Sequence, residues 1–251
     1  MVKGLKGFKA WFEGFEEQYA IIGGTACDLL FSESGLEFRA TRDIDMVLIV
    51  EGLTRDFGER FWEYIIEAGY EHRNKSTGEP QFYRFMNPKN SDYPYMIELF
   101  SRRLASLPLP DEAILTPLPL DEELTSLSAI LLDNDYYELL KQGIVLADGM
   151  PILSAGYLIP FKAKAWLDLS SRKAAGEHID TKSIRKHKND VFRISVLLSP
   201  ETRIILPKSI RNDLAVFIEA MQFEAIDMKS LGISAGSKED VLTALLAVYF
   251  S

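Results

Sequence analysis

The chain has 251 residues, 47% of them hydrophobic and 26% charged, which suits one large globular domain or two modest ones and excludes a disordered polymer. Its net charge of −9 argues against a general nucleic-acid binder, whose affinity comes from cations set against phosphates. The single Cys27 excludes an internal disulfide, and no apolar run approaches the ~18 to 20 residues of a spanning helix. The segment MVKGLKGFKAWFEGFEE carries charges where a secretory signal needs an unbroken apolar stretch, so a cytoplasmic location is expected, with no membrane partner.

In chain order, Phe8, Trp11, Phe12 and Phe15 recur at helical spacing and predict a helix over residues 6–17. Tyr19 to Ile22 is a short apolar strand ended by Gly23-Gly24, and a helical pattern resumes over Thr25 to Phe31. After a loop with Arg39, Thr41 and Arg42, the β-branched run DIDMVLIVE predicts a buried strand with Asp43 at its entrance. Thr54 to Ala68 is amphipathic and stops at Gly69, where a left-handed cap suits glycine. Gln81–Met86 and Tyr95–Phe100 predict antiparallel strands joined by NPKNSDYP. The proline-rich stretch Leu107–Pro119 reads as an excursion or linker.

Beyond it, Leu127–Leu132 and Tyr136–Leu140 flank LDND as a first expected hairpin, and Ile144–Leu146 with Pro151–Leu153 flank ADGM as a second. Helices are expected at about 157–172, 181–198, 207–221 and 237–250. The resulting class is α+β: a mixed sheet flanked by helices, then a mainly helical C-terminal part, with domains at 1–154 and 155–251. Residues 161–190 hold eight Lys or Arg against four acids, a local surplus of +4 on a chain that is otherwise −13. This stretch is either a solvated helix face or a surface turned towards phosphate.

Chemistry concentrates in three places. In GGTACDLL, paired glycines between strand and helix let the backbone approach a phosphate, and the helix N-terminus offers N–H groups; a tight turn alone would also use them. In RATRDID, period two puts Asp43 and Asp45 on one face of a strand with Ile44 on the other, so both carboxylates reach one place. Their repulsion calls for a cation such as Mg²⁺ (or Mn²⁺), or for pairing with Arg39 or Arg42 at an exposed strand end. In MIELF, Glu98 is a charge inside an apolar strand, which demands a partner or a wet site. No zinc site is expected, because His72, His178 and His187 lack ligand spacing with Cys27. Trp11, Trp62 and Trp166 lie in helical patterns and are expected in the core.

The order of these pieces, an apolar strand with GGTA, then RxTRDID, then a later strand with a carboxylate, resembles the DNA polymerase beta-type nucleotidyltransferases, specifically the AbiEii-type toxin-like enzymes. The resemblance implies that Gly23 and Gly24 bind a nucleoside triphosphate, that Asp43 and Asp45 hold two metal ions, and that Glu98 completes the set. It extends to LIPFKAKAWLDL, with Lys162 and Ala165, and to RKHKNDVFRISVLL, with Lys188 and Asp190. The lysines are thereby expected at phosphates, and Asp190 near the same pocket. Glycine at the second turn position leaves a hydroxyl contact to phosphate to Thr25. The implied activity moves a nucleoside monophosphate from an NTP to a hydroxyl of RNA, protein or a small molecule. It would belong to a toxin–antitoxin or abortive-infection component with an antitoxin partner. Two other readings remain open at this stage: a nucleotide or metal sensor without turnover, and a protein-interaction module of the same fold.

Overall fold

The computed structural model describes residues 2–70, 82–100, 130–131, 133–233 and 236–251. Helices α1 (Leu5–Trp11), α2 (Gly23–Glu33) and α3 (Arg55–Ala68) alternate with strands β1 (Tyr19–Ile22), β2 (Asp43–Leu48), β3 (Phe82–Met86) and β4 (Met96–Phe100). Then come α4 (Asn134–Gln142), the hairpin β5 (Ile144–Ala147) and β6 (Met150–Leu153), and helices α5 (Ala155–Ala174), α6 (Thr181–Ser195), α7 (Lys208–Phe223) and α8 (Lys238–Phe250). The six strands form one mixed sheet in the order β3-β4-β2-β1-β6-β5. Pairing is parallel for β2/β4 and β1/β6 and antiparallel for the other neighbours. The expected α+β class is therefore what the chain forms.

The chain divides into two compact units, Met1–Pro119 with Ile144–Leu153, and Leu120–Gly143 with Ser154–Ser251. The first holds the sheet. Helix α2 packs on β1, β2 and β5, and its buried residues include Ala26, Cys27, Leu29 and Phe31. Phe12, just past α1, and the rings of α3 form a second cluster: Phe12 lies 5.4 Å from Tyr64, 5.8 Å from Phe57 and 6.2 Å from Phe61, distances at which tilted rings attract beyond their area burial. Trp62 is buried, whereas Trp11 is half-buried under the Arg60 guanidinium, 4.1 Å from its ring. Thr54 caps α3 by accepting from Phe57 N, and Gly69 ends it at φ 65°, as its position in the sequence led us to expect.

Two expectations need correction here. The helix expected over residues 6–17 stops at Trp11, and turns carry the chain to β1, Phe15 still reaching the Phe57 ring. Tyr136–Leu140 is no hairpin strand: it belongs to α4, where the Asp133 carboxylate accepts from Asp135 N and Tyr136 N as an N-cap. Of Leu127–Leu132, only Ile130 and Leu131 fall among the described residues, and both are helical. The stretch Leu107–Pro119 lies outside the described residues.

The second unit is helical. Helix α5 packs against α4, α6 and α7, and α8 packs against α6 and α7. Trp166 of α5 is buried and meets Phe217 of α7 edge-on. Helix α5 runs through Pro160. Proline has no N–H, so the carbonyl one turn back, Gly156 O, loses its usual donor. The buried hydroxyl of Tyr249 on α8 donates to that carbonyl at 2.5 Å, restoring the bond that the proline removes.

Candidate functional site

In the first unit the sheet register aligns one charged row. Ile22 on β1 stands opposite Asp45 on β2, Asp45 opposite Glu98 on β4, and Glu98 opposite Arg84 on β3. Asp43 and Asp45 share the half-exposed face of β2 while Ile44 between them is fully buried, as period two requires. The chain turns into α2 immediately after Ile22. Gly23 there adopts φ 70°, in the left-handed region that side chains avoid. A Cβ on it would stand 1.7 Å from Asp45 Oδ2, so the carboxylate occupies the volume that any larger residue would fill. Gly24 is similarly hemmed, with Thr41 Oγ1 at 2.7 Å and Arg39 Nη1 at 3.8 Å from where its Cβ would be. The two glycines thus serve close approach by Asp45 and by the Arg39–Arg42 loop.

Helix α2 begins without a side-chain cap and without an acid in its first turn. Its first N–H groups and the positive end of its dipole therefore lie beside the two aspartates, a setting that suits an anion once a cation screens the carboxylates. Thr25, expected to offer its hydroxyl to a phosphate, uses it otherwise. The side chain is fully buried and Oγ1 donates to Asp43 O at 2.5 Å, tying α2 to the entrance of β2. The guanidinium of Arg42 lies 5.1 Å from the half-exposed Tyr95 ring, and that of Arg39 5.2 Å from Phe38. Tyr93 sets its hydroxyl on Glu67 and its ring against Tyr64.

Glu98 is buried, and its Oε1 takes two donors from Arg84, Nε at 2.8 Å and Nη2 at 2.6 Å. Its side chain is also hydrogen-bonded to Asp45. Burial, followed by the charge of Asp45 and that hydrogen bond, pushes the Glu98 carboxyl up to about 9 against the opposing pull of Arg84. Two carboxylates in contact each make the other's ionised form less favourable. Arg84 carries no motif and was not expected. Its signal, a charge inside the apolar strand FYRFM, is the same one that marks Glu98.

Among the described residues no three His, Cys, Asp or Glu side chains converge as a ready metal cage. The donor set nonetheless fits a hard cation of the Mg²⁺ type, which takes one or two carboxylates and fills its other positions with water and phosphate oxygens. Asp43 and Asp45 have that character, whereas Glu98 has one oxygen engaged by Arg84.

The remaining expected residues lie in the second unit. Lys162 of α5 and Asp190 of α6 are both buried and form an ion pair, Nζ to Oδ2, of 3.3 Å, with Arg193 Nη1 3.7 Å from the other oxygen of Asp190. Lys188 is buried too, its Nζ 2.5 Å from Glu224 Oε2 and 3.3 Å from Ala225 O. Lys164 pairs with Asp213 at 2.9 Å, and Arg172 with Asp168 and Glu177. The +4 surplus of residues 161–190 is thus partly neutralised by Asp213 and Glu224 from α7 and its exit, and Lys162 and Lys188 are each held by an acid within the unit. No described helix is long and apolar enough to cross a membrane.

No family model matches the sequence, and no curated protein matches it. Among solved structures the chain is similar to the crystal structure of an antigenic nucleotidyltransferase-like protein from Paracoccidioides brasiliensis. The two share 16% identity and superpose with a TM-score of 0.45 over 94% of this chain and 93% of that one.

Proposed function

We propose that the chain is a metal-dependent nucleotidyltransferase that moves a nucleoside monophosphate from an NTP to a hydroxyl of an RNA, a protein or a small molecule. The observation that carries this reading is the seat of Asp45 on the Cα of Gly23, at the uncapped start of α2 and on the same strand face as Asp43. A carboxylate pair and a row of backbone N–H groups so placed match the two halves of a metal–triphosphate complex, its cation and its anionic oxygens. Asp43 and Asp45 would hold Mg²⁺ or Mn²⁺, and the cation when bound would neutralise charge on the triphosphate. The amides of Gly23 and Gly24 would orient the phosphate chain, and the Gly24 turn, pressed by Thr41 and Arg39, would keep that cradle rigid. By its sequence pattern the chain would serve as a toxin-like component with an antitoxin partner.

A second reading follows from one contact. Because Arg84 engages Glu98, the third carboxylate is partly withdrawn from metal binding, as suits a nucleotide sensor without turnover. Calorimetric titration with each NTP and Mg²⁺, together with a pyrophosphate-release assay on total RNA and cell lysate, separates the readings. Release supports the transferase, binding without release supports the sensor, and no binding removes both in favour of an interaction module.

A further inference from the structure

We propose that Arg84 is a built-in counter-cation of the carboxylate row, holding Glu98 in the metal-free protein and yielding it to a divalent cation on Asp43 and Asp45. Cation binding and the Arg84–Glu98 ion pair are then in competition. The inference rests on the cation site proposed above and assigns Arg84 a part in its loading.

Three facts carry it. Arg84 grips a single oxygen of Glu98 with two donors, a charge-assisted contact that a planar guanidinium makes with little further ordering. Both side chains are mostly shielded, 17% and 11% exposed, so the contact is screened less than a surface pair. And the register places Glu98 between Arg84 and Asp45, so that whatever positive charge approaches Asp45 also approaches Arg84. Other cations of this unit face elsewhere in part: Arg39 lies over Phe38 and beside Gly24, and Arg42 over Tyr95. Arg84 is accordingly a positioning residue. It neutralises one acid of the row while no metal is bound, and it repels the metal when one arrives.

The test uses Mn²⁺ alone as probe, with the full chain, measured by calorimetry or by the electron spin signal of unbound Mn²⁺. Arg84→Met should bind Mn²⁺ about tenfold more tightly than wild type, since a nearby like charge is gone and Glu98 becomes available. The metal-free variant should melt lower, and saturating Mn²⁺ should raise its midpoint by more than it raises wild type. In a Glu98→Gln background the same substitution should tighten binding by less than about threefold, because no ligand remains to be released. Should Arg84→Met fail to fold, Arg84→Lys keeps the charge but loses the planar two-donor grip, and should bind about threefold more tightly than wild type. A purely structural arginine gives unchanged or weaker Mn²⁺ binding in these variants, and that result overturns the proposal while leaving the cation site standing. Absence of Mn²⁺ binding in wild type and variants alike overturns both.

Discussion

The two units arrange their charges in different ways. In the helical unit every buried ion described has an opposite partner elsewhere in the unit: Lys162 on Asp190, and Lys188 on Glu224. In the sheet unit Asp43, Asp45 and Glu98 gather on neighbouring strands, where Arg84 engages Glu98 while burial and the nearby Asp45 raise the Glu98 carboxyl above the ordinary carboxylate range. A paired interior needs nothing from outside and mainly serves the fold, since removing either partner strands the other in low dielectric. Like charges gathered on one face favour a cation beside them, a common electrostatic mark of a binding site.

The contrast predicts opposite responses to removing one acid. Asp190→Ala should lower stability by about 3–5 kcal/mol in chemical denaturation, because Lys162 is left buried without its acid. A loss below about 1 kcal/mol would mean that water solvates Lys162 in place of the acid, and the helical unit would no longer be the structural counterpart of the row. Gly23→Ala should cost about 2 kcal/mol or more, from the left-handed backbone and from displacement of Asp45. It should also abolish Mn²⁺ binding, whereas Asp190→Ala, wherever it still folds, should retain it. If Gly23→Ala binds Mn²⁺ normally, Asp45 holds no metal.

Smaller effects sharpen the comparison. Asp45→Asn should leave metal-free stability unchanged or raise it by up to about 1 kcal/mol, since a repulsion disappears, while Mn²⁺ and NTP binding are lost. A melting midpoint several degrees lower than wild type would move Asp45 to the structural class. Lys182→Ala, on the exposed face of α6, should shift stability by less than about 0.5 kcal/mol and leave NTP affinity as it is. A weakening as large as that of an acid-row variant would show that a diffuse basic field binds the triphosphate.

Much of this was legible in the chain. The β-branched run after Arg42 could only be a buried strand, and its period fixes Asp43 and Asp45 on one face whatever the tertiary fold. Glu98 stood out because a charge in an apolar strand needs a reason. The reason itself, Arg84 opposite and Asp45 alongside, depends on strand order, which local pattern does not encode. The same limit applies to Thr25. A hydroxyl next to a glycine turn suits a phosphate equally well on paper, and only the approach of β2 reveals Asp43 O as its acceptor. Asp133 was misread for a chemical reason: Asp and Asn initiate turns and cap helices by the same short side-chain bond. The pairs Tyr136-Tyr137 and Leu139-Leu140, spaced three and four apart, held the helical answer. Lys162 and Lys188 looked open to phosphate because their acids lie 28 and 36 residues further along the chain.

The seat of Asp45 on Gly23 also constrains how this sequence can vary. Position 23 tolerates a side chain only if position 45 gives up its carboxylate or turns it away, so the two positions form a lock in which the order of change matters. A chain that first shortened residue 45 could later admit alanine at 23 at the cost of backbone strain alone. The reverse order passes through a protein in which a methyl group and a carboxylate oxygen claim the same volume. Among relatives of this chain, glycine at 23 should therefore accompany the acid at 45, and a homologue that has lost one has little to hold the other in place.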